Sequence, residues 1–517
     1  MELPSRPDVV VVGAGGSGAV LAARLSEDPG RTVMVLESGP VPEQLAAFAS
    51  ELLDARLVPG ARPGHLAVQA YPVRLTAQRA YTVPRGRFLG GSTTVNGGYF
   101  VRARHEDFGR WSDAGGAAWS YERVLPFLRA LETDLDYGTD ELHGGDGPMP
   151  VRRTGLCHPA TAAFRAAASQ LGFPEEPDKN APCAPGFGPV PSNTVDGVRL
   201  NTGVCYLLAA LGRPNLRVVG GSTVSRIVVE GGRATGVIVE REGHPVSVAA
   251  GEVVLCAGAF GSPHLLHLSG IGPRSDLERL GLPVVRDAPA VGARFGDHPQ
   301  VAVEWVPRRP LPEAVGTWLG GVLHLASSDG GNPGDLEILQ SLVPLPGLLG
   351  GTVTVPGAPH VFLVSDQSPR LTGRLRTRSA DRATPPDIDY GYLSSGADRR
   401  RLREAVRATA ALLATRAFGE VSAGLVEPGP RVLDDDRLLD RWIRARLGTS
   451  QHTCGTVPLG PADDCRAAVD HYGRVHGIRG LRVADTSILP TAPSRGPAAT
   501  AVLVGELVAD AMRRGLA

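Results

Sequence analysis

The glycines of Gly13-Ala14-Gly15-Gly16-Ser17-Gly18 stand at the three spaced positions that let a chain wrap a pyrophosphate. Each has its own duty. Gly13 makes a tight turn, Gly15 lets the backbone approach phosphate oxygens, and Gly18 lets the next helix lie close to the preceding strand. Gly16 and Ser17 complete the loop, and the free amides at the helix N-terminus hold the negative charge. Glu37, with Ser38 beside it, follows at the spacing of an acid that bonds ribose hydroxyls. This chemistry binds a dinucleotide and leaves NAD and FAD open, because both use the same turn.

Such a turn works only between a strand and a helix. Residues 8–12 are a β-branched run, apolar on both faces and too short for a helix, as in the middle of a parallel sheet. Residues 19–25 are good helix formers, and residues 32–36 predict a second strand that ends at Glu37. Further along, residues 223–229, 253–257 and 481–483 read as strands. Residues 370–377 alternate like a half-buried strand, and residues 398–416 are amphipathic at helical spacing. Segments 310–312 and 344–356 are rich in proline or glycine and read as loops.

The 517 residues exceed what one core supports, so two lobes are expected. With 53 basic and 53 acidic residues there is no electrostatic footprint for nucleic acid. The six cysteines form no Cys-x-x-Cys pair or cluster of metal-ligand spacing, which argues against zinc or iron–sulfur and leaves the metal expectation at none. Residues 1–6 lack signal-peptide character, and a cytoplasmic protein with reduced thiols is expected. No uninterrupted apolar run reaches about 18 residues, so no spanning helix is expected; peripheral membrane contact stays open.

Four further segments resemble the glucose–methanol–choline (GMC) oxidoreductases. Gly86-Arg87-Phe88-Leu89-Gly90-Gly91-Ser92-Thr93-Thr94-Val95-Asn96-Gly97-Gly98 looks like the family's first signature, and residues 258–273, from Gly258-Ala259-Phe260-Gly261-Ser262-Pro263 to Gly270-Ile271-Gly272-Pro273, like its second. His452-Thr453-Cys454-Gly455-Thr456 resembles the catalytic histidine segment, and Asp485-Thr486-Ser487-Ile488-Leu489-Pro490 the loop that closes over flavin and pyrophosphate. The resemblance spans nearly the whole chain and implies an α/β fold. A Rossmann-like FAD-binding domain would be assembled from discontinuous segments, with an α+β substrate domain whose antiparallel sheet is backed by helices. The division expected is a mainly FAD-binding region over 1–300, a mainly substrate-binding domain over 301–448, and a return to the FAD domain over 449–517. Segments around Glu132-Thr133-Asp134-Leu135-Asp136, His143-Gly144-Gly145-Asp146-Gly147-Pro148, Val151-Arg152-Arg153-Thr154 and Ser494-Arg495-Gly496-Pro497 resemble, more narrowly, the mycofactocin-associated branch of the family.

The resemblance implies an FAD enzyme that takes a hydride from a carbinol carbon, with His452 as the base for the alcohol proton. Cofactor contacts are expected, beside the fingerprint, Glu37 and Ser38, from Arg87, Gly90, Gly91, Ser92, Gly97, Gly98, Ala257, Asp485 and Thr486. Val224 would meet adenine through its backbone, and Thr500 would cap the last helix near the flavin. Asn96 is either a polar neighbour of the flavin or a turn residue. Some family members carry at the position of Val95 a histidine bonded covalently to the flavin; valine cannot do this, so FAD is expected to be noncovalent. The family's second catalytic histidine or asparagine falls on Gly496. Either Ser494 or Arg495 binds the substrate oxygen, or His452 works without a side-chain partner; Arg495 would stabilise a developing alkoxide, or else serve in a salt bridge or phosphate contact. His298, in Asp297-His298-Pro299, is assigned no chemistry. The expected partners are a small-molecule alcohol and mycofactocin or a respiratory-chain acceptor. The alternatives are a sugar or simple alcohol oxidase using oxygen, and a lyase of the hydroxynitrile type in which FAD is structural.

Overall fold

The computed structural model describes residues 6–241, 243–329, 332–348 and 358–516. Its first layer is a five-stranded, all-parallel sheet in the order Leu216–Val219, Val33–Leu36, Val9–Val12, Glu252–Leu255, Leu481–Val483. The strand from residues 9–12 is buried along its length, as its unbroken valines require. Strands from the head, middle and tail of the chain therefore share one sheet.

Glycines set the close approaches around it. A Cβ on Gly18 would lie 2.0 Å from the carbonyl oxygen of Gly13 and 2.8 Å from the Cys256 side chain, so helix Gly18–Leu25 packs against the sheet at backbone distance. The last helix, Ala498–Arg513, crosses it where a Cβ on Gly505 would meet the Ser17 carbonyl at 2.6 Å. Arg24 and Tyr206 both bond Glu506 and fasten that crossing.

The second layer is an antiparallel sheet in the order Ser422–Glu427, Pro299–Pro307, His360–Asp366, Leu336–Ser341, Leu319–Leu325, Phe187–Pro189. Its apolar face carries Val301, Val303 and Trp305 from one alternating strand and is covered by helix Gly396–Ala414. Gly448–Thr449 adds to the start of the Pro299–Pro307 strand. The boundary expected at 300 thus falls inside a strand, and residues 187–189 join this sheet from within the first region. Residues 370–377 form a strand only over Arg374–Arg376. It lies in a separate four-stranded sheet with Asp387–Asp389, Val68–Thr76 and Arg79–Gly86, because Asp389 pairs with Arg74. Of the loop expected over 344–356, residues 345–348 form one helical turn and residues 349–356 lie outside the described residues. Among the described residues no helix is long and apolar enough to cross a membrane.

A buried ion cluster ties together residues 102, 132, 134, 143, 153 and 178. Nδ1 of His143 lies 2.8 Å from Glu132 and 2.9 Å from Asp134, and its Nε2 lies 2.8 Å from Asp178. Arg102 bonds Glu132 at 2.6 Å, and Arg153 bonds Asp134 and Asp178. Glu132, Asp134 and His143 could hold a cation by geometry alone. Three carboxylates facing His143, Arg102 and Arg153 already balance in charge, so the cluster is a clamp without one. Burial would lower the His143 pKa, but the bonds to Asp134, Asp178 and Glu132 carry it up to about 10. A raised folded pKa means that the stabilisation is complete below the unfolded value of about 6.5 and disappears as pH rises through about 10. His143→Asn is expected to lose about 3–5 kcal/mol of unfolding free energy at pH 6. In urea titrations the gap from the parent should narrow as pH is raised toward 10.

Candidate active site

A cleft of about 360 Å³ is lined by the parallel sheet at Val12 and Leu36, by the four-stranded sheet at Gln69, Tyr71 and Arg85, and by residues 450–453. One end is built from the carboxyl ends of the parallel strands: Gly13, Gly15, Gly16, Ser17, Glu37, Ser38, Val224 and Ala257 line it. Glu37 is buried and accepts from the amides of Ala14 and Gly39 at 2.9 and 2.7 Å, so its carboxylate shapes the glycine turn while facing the cleft. Arg87, Gly91, Ser92, Asn96 and Gly97 line the cleft from the small-residue loop, and Asp485 and Thr486 from near the chain end. A Cβ on Gly91, whose φ is +54°, would stand 2.7 Å from the Cα of Gly15, so position 91 needs glycine where the two loops meet. Asp485 accepts from the Gly258 amide at 2.9 Å and the Ser262 hydroxyl at 2.6 Å, fixing the turn into the helix Gly258–Leu268.

Four expected cofactor residues do not line this cleft. Gly18 packs helix against strand. Gly90, with φ of +88°, donates to the Ala14 carbonyl at 2.8 Å and holds the two glycine loops together. Gly98 turns the chain and donates to Asn96 Oδ1 at 2.9 Å, so Asn96 is a turn residue that also faces the cleft. Thr500 is buried in the last helix with an unpartnered hydroxyl.

At the opposite end lies His452, the one histidine lining the cleft among the described residues. It follows Gln451, whose φ of +64° puts a non-glycine residue in the left-handed region, a strained turn that persists only when its surroundings fix it. Asp297 does much of the fixing. Its Oδ1 accepts from the amides of His298 at 2.6 Å and His452 at 2.8 Å and from the Thr449 hydroxyl at 3.1 Å, while Oδ2 accepts from the Thr453 hydroxyl at 2.6 Å. Arg85 donates to the Gln451 carbonyl at 2.8 Å and the Thr453 hydroxyl at 2.7 Å. Cys454 exchanges backbone bonds with Gly296, and the Gly455 amide bonds the Thr486 carbonyl.

Nδ1 of His452 lies 2.9 Å from Nδ1 of His298, the rings meeting edge to face at 5.1 Å. A Cβ on Gly496 would lie 3.5 Å from both Cε1 and Nε2 of His452. Nε2 is therefore the ring nitrogen left for a bound molecule. Burial first, then the neighbouring His298 and Arg85, hold the His452 pKa well below the usual histidine value, so the ring is neutral near pH 7.

Ser494 and Arg495 turn away from this point, which corrects the expectation that one of them meets a substrate oxygen. The amide and hydroxyl of Ser494 both bond Asp107. Arg495 is buried, bonded to Glu176 at 2.5 Å and to the Lys179 carbonyl. A guanidinium buried in that position must face a carboxylate, and Glu176 is the one it bonds. His298, Asp297 and Arg85 are the residues that reading the sequence missed. The Asp297-His298-Pro299 string was visible, but its partner is 154 positions away.

Sequence models of the GMC oxidoreductase family match residues 8–300 and 369–505. An uncharacterized GMC-type oxidoreductase from the thcA 5' region of Rhodococcus erythropolis is 42% identical over 502 residues, covering 96% of this chain and 97% of that protein. An oxygen-dependent choline dehydrogenase of Rhizobium johnstonii is 34% identical, covering 97% and 95%. Among solved structures, pyridoxine 4-oxidase from Mesorbium loti superposes with a TM-score of 0.90 at 28% identity, over 98% of this chain and 99% of that one.

Arg495→Met is expected to lower unfolding free energy by about 3–5 kcal/mol, because it strips a partner from buried Glu176. The folded fraction should still take up one equivalent of FAD, as read from the visible absorption of gel-filtered protein.

Proposed function

The chain belongs to the GMC oxidoreductase family, and on that premise we propose that it oxidises an alcohol to a carbonyl compound with FAD as hydride acceptor and His452 as base. The observation that carries this reading is the free Nε2 of His452, held in the same cleft as the glycine turns. Those turns fit the cofactor: their close backbone approaches leave no room for side chains, and the amides opening helix Gly18–Leu25 suit a pyrophosphate. Glu37 would take the ribose, Val224 and Ala257 the adenine end, and Asn96, Gly97 and Thr486 the flavin end. When bound, FAD supplies the two-electron acceptor for the hydride.

The residues of the chain do the rest. An alcohol is too weak an acid to lose its proton in advance, so Nε2 of His452 takes the hydroxyl proton as the carbinol C–H bond breaks. One proton goes to the imidazole and one hydride leaves, which balances the conversion to a carbonyl. Gly496 leaves room beside Nε2 where a side chain would otherwise stand. Val95 offers no nitrogen for a covalent link, so FAD is held noncovalently and denaturation releases it.

We assign the electrons to mycofactocin or a respiratory-chain carrier, on the likeness of the segments around Glu132, His143 and Ser494 to that branch of the family. The names of two relatives, an oxygen-dependent choline dehydrogenase and pyridoxine 4-oxidase, favour a second reading with oxygen as acceptor. An oxygen electrode during alcohol turnover separates the two: stoichiometric oxygen uptake establishes the second, and slow uptake with rapid reoxidation by the oxidised carrier the first.

Anaerobic mixing with a panel of alcohols should bleach the flavin. His452→Ala is expected to keep FAD yet slow bleaching by about 10²–10⁴-fold, the range of a lost general base. Because burial depresses the His452 pKa, the base stays unprotonated to lower pH than a free histidine. The rate of bleaching should therefore be flat above about pH 6.5 and fall only below it; an acid limb centred above pH 7 would remove His452 as the base.

A further inference from the structure

A base at Nε2 of His452 requires that the ring carry its single proton on Nδ1. Nδ1 faces one group only that can settle this, Nδ1 of His298 at 2.9 Å. Two neutral imidazoles that meet nitrogen to nitrogen must share one proton between them, so one donates and the other accepts. If His298 donates, the proton of His452 sits on Nε2 and no lone pair faces the substrate. If His298 accepts, the lone pair is in place.

Acceptance is what the proposed base requires, and the structure holds the two rings in place for it. His298 is wholly buried, and its amide is locked by Asp297, the carboxylate that also holds the amide of His452, so the rings have a fixed relation. With Nδ1 of His298 accepting, its own proton lies on Nε2, which among the described residues makes no full hydrogen bond, and that unpaired N–H is what the arrangement costs. Burial holds the His298 pKa below the usual histidine value despite Asp297, Glu337, Asp107 and the Pro493 carbonyl, and burial, then His298 and Arg85, do the same at His452, so both rings are neutral where they meet. Gly496 supplies no side chain that could orient His452 from the cleft side.

We propose that His298 is a positioning residue that accepts the Nδ1–H of His452, fixes its tautomer, and so keeps the Nε2 lone pair aimed at the substrate hydroxyl. This rests on His452 being the base. After proton transfer the same bond remains, now from an imidazolium Nδ1–H to a neutral acceptor, and it stabilises the charge formed at His452 in a buried site. No second proton has to move.

The test uses the FAD-loaded holoenzyme, selectively labelled with ¹⁵N-histidine, in wild-type, His298→Ala, His298→Asn and His452→Ala forms. The His452 resonances, identified by their loss in His452→Ala, should show a protonated Nδ1 and an unprotonated Nε2. In His298→Ala they should shift to a tautomer mixture. His298→Asn, whose amide oxygen reaches the place of Nδ1, should restore the original pattern. Flavin bleaching by alcohol should slow about 100-fold in His298→Ala, in the range of a lost tautomer or base, and recover to within about fivefold in His298→Asn, with substrate KM changed less than about twofold. A wild-type spectrum with the His452 proton on Nε2 overturns the proposal, and that measurement decides even if His298→Ala fails to fold. Unchanged tautomer and rate in His298→Ala, with His452→Ala inactive, also overturn it while leaving the base in place. Normal bleaching in His452→Ala sinks the base reading itself.

Discussion

The carboxylate of Asp297 holds together everything that makes the cleft reactive. It is buried, and it accepts from two backbone amides and two threonine hydroxyls that belong to two separate stretches of chain. A buried carboxylate costs free energy unless its lone pairs are filled, so the stretches around 298 and 449–453 are drawn to it and to each other. The strained turn at Gln451 is tolerable because these bonds over-determine it. The direction of the His452 ring is thus a consequence of satisfying one anion.

That anion sits where the two layers meet. The Pro299–Pro307 strand leaves it to enter the antiparallel sheet, while the segment after His452 is tied by backbone bonds to Gly296 and to Thr486, beside the last parallel strand. The opposite wall of the cleft rests on a backbone contact that glycine permits, Gly91 against Gly15, and behind it Gly505 lets the last helix meet Ser17. Both walls use distant parts of the sequence, so neither lobe owns the site. The chain must close its longest loops before the cleft exists.

Local features of this arrangement were legible in the sequence, because they depend on neighbours a few residues apart. The valine run, the glycine turn, the helix now seen over Gly396–Ala414 and the strand over Leu481–Val483 follow from periodicity and turn chemistry. The partners of buried charges were not legible. Arg495 pairs with Glu176 across 319 positions, and nothing in the composition of either segment marks them as a pair. Sheet membership failed for the same reason: Arg374–Arg376 has the alternation of a strand, but alternation does not say which edge it joins. His298 was readable as a string and unreadable as a contact.

The loss of Arg495 to Glu176 changes what kind of site this is. Arg85 already lines the cleft and opposes a proton on His452; a second guanidinium there would have attracted an alkoxide and repelled that proton further. With that charge spent inside a buried pair, and with glycine at 496, the proposed imidazolium would rely on neutral and backbone groups and on the second histidine. Fixed dipoles that already point the right way cost little reorganisation when charge develops, whereas a mobile cation must first be desolvated. The buried ion pairs and the neutral histidine pair are therefore two parts of one arrangement: charge is consumed in holding the walls, so that the ring proposed as proton acceptor stays uncharged.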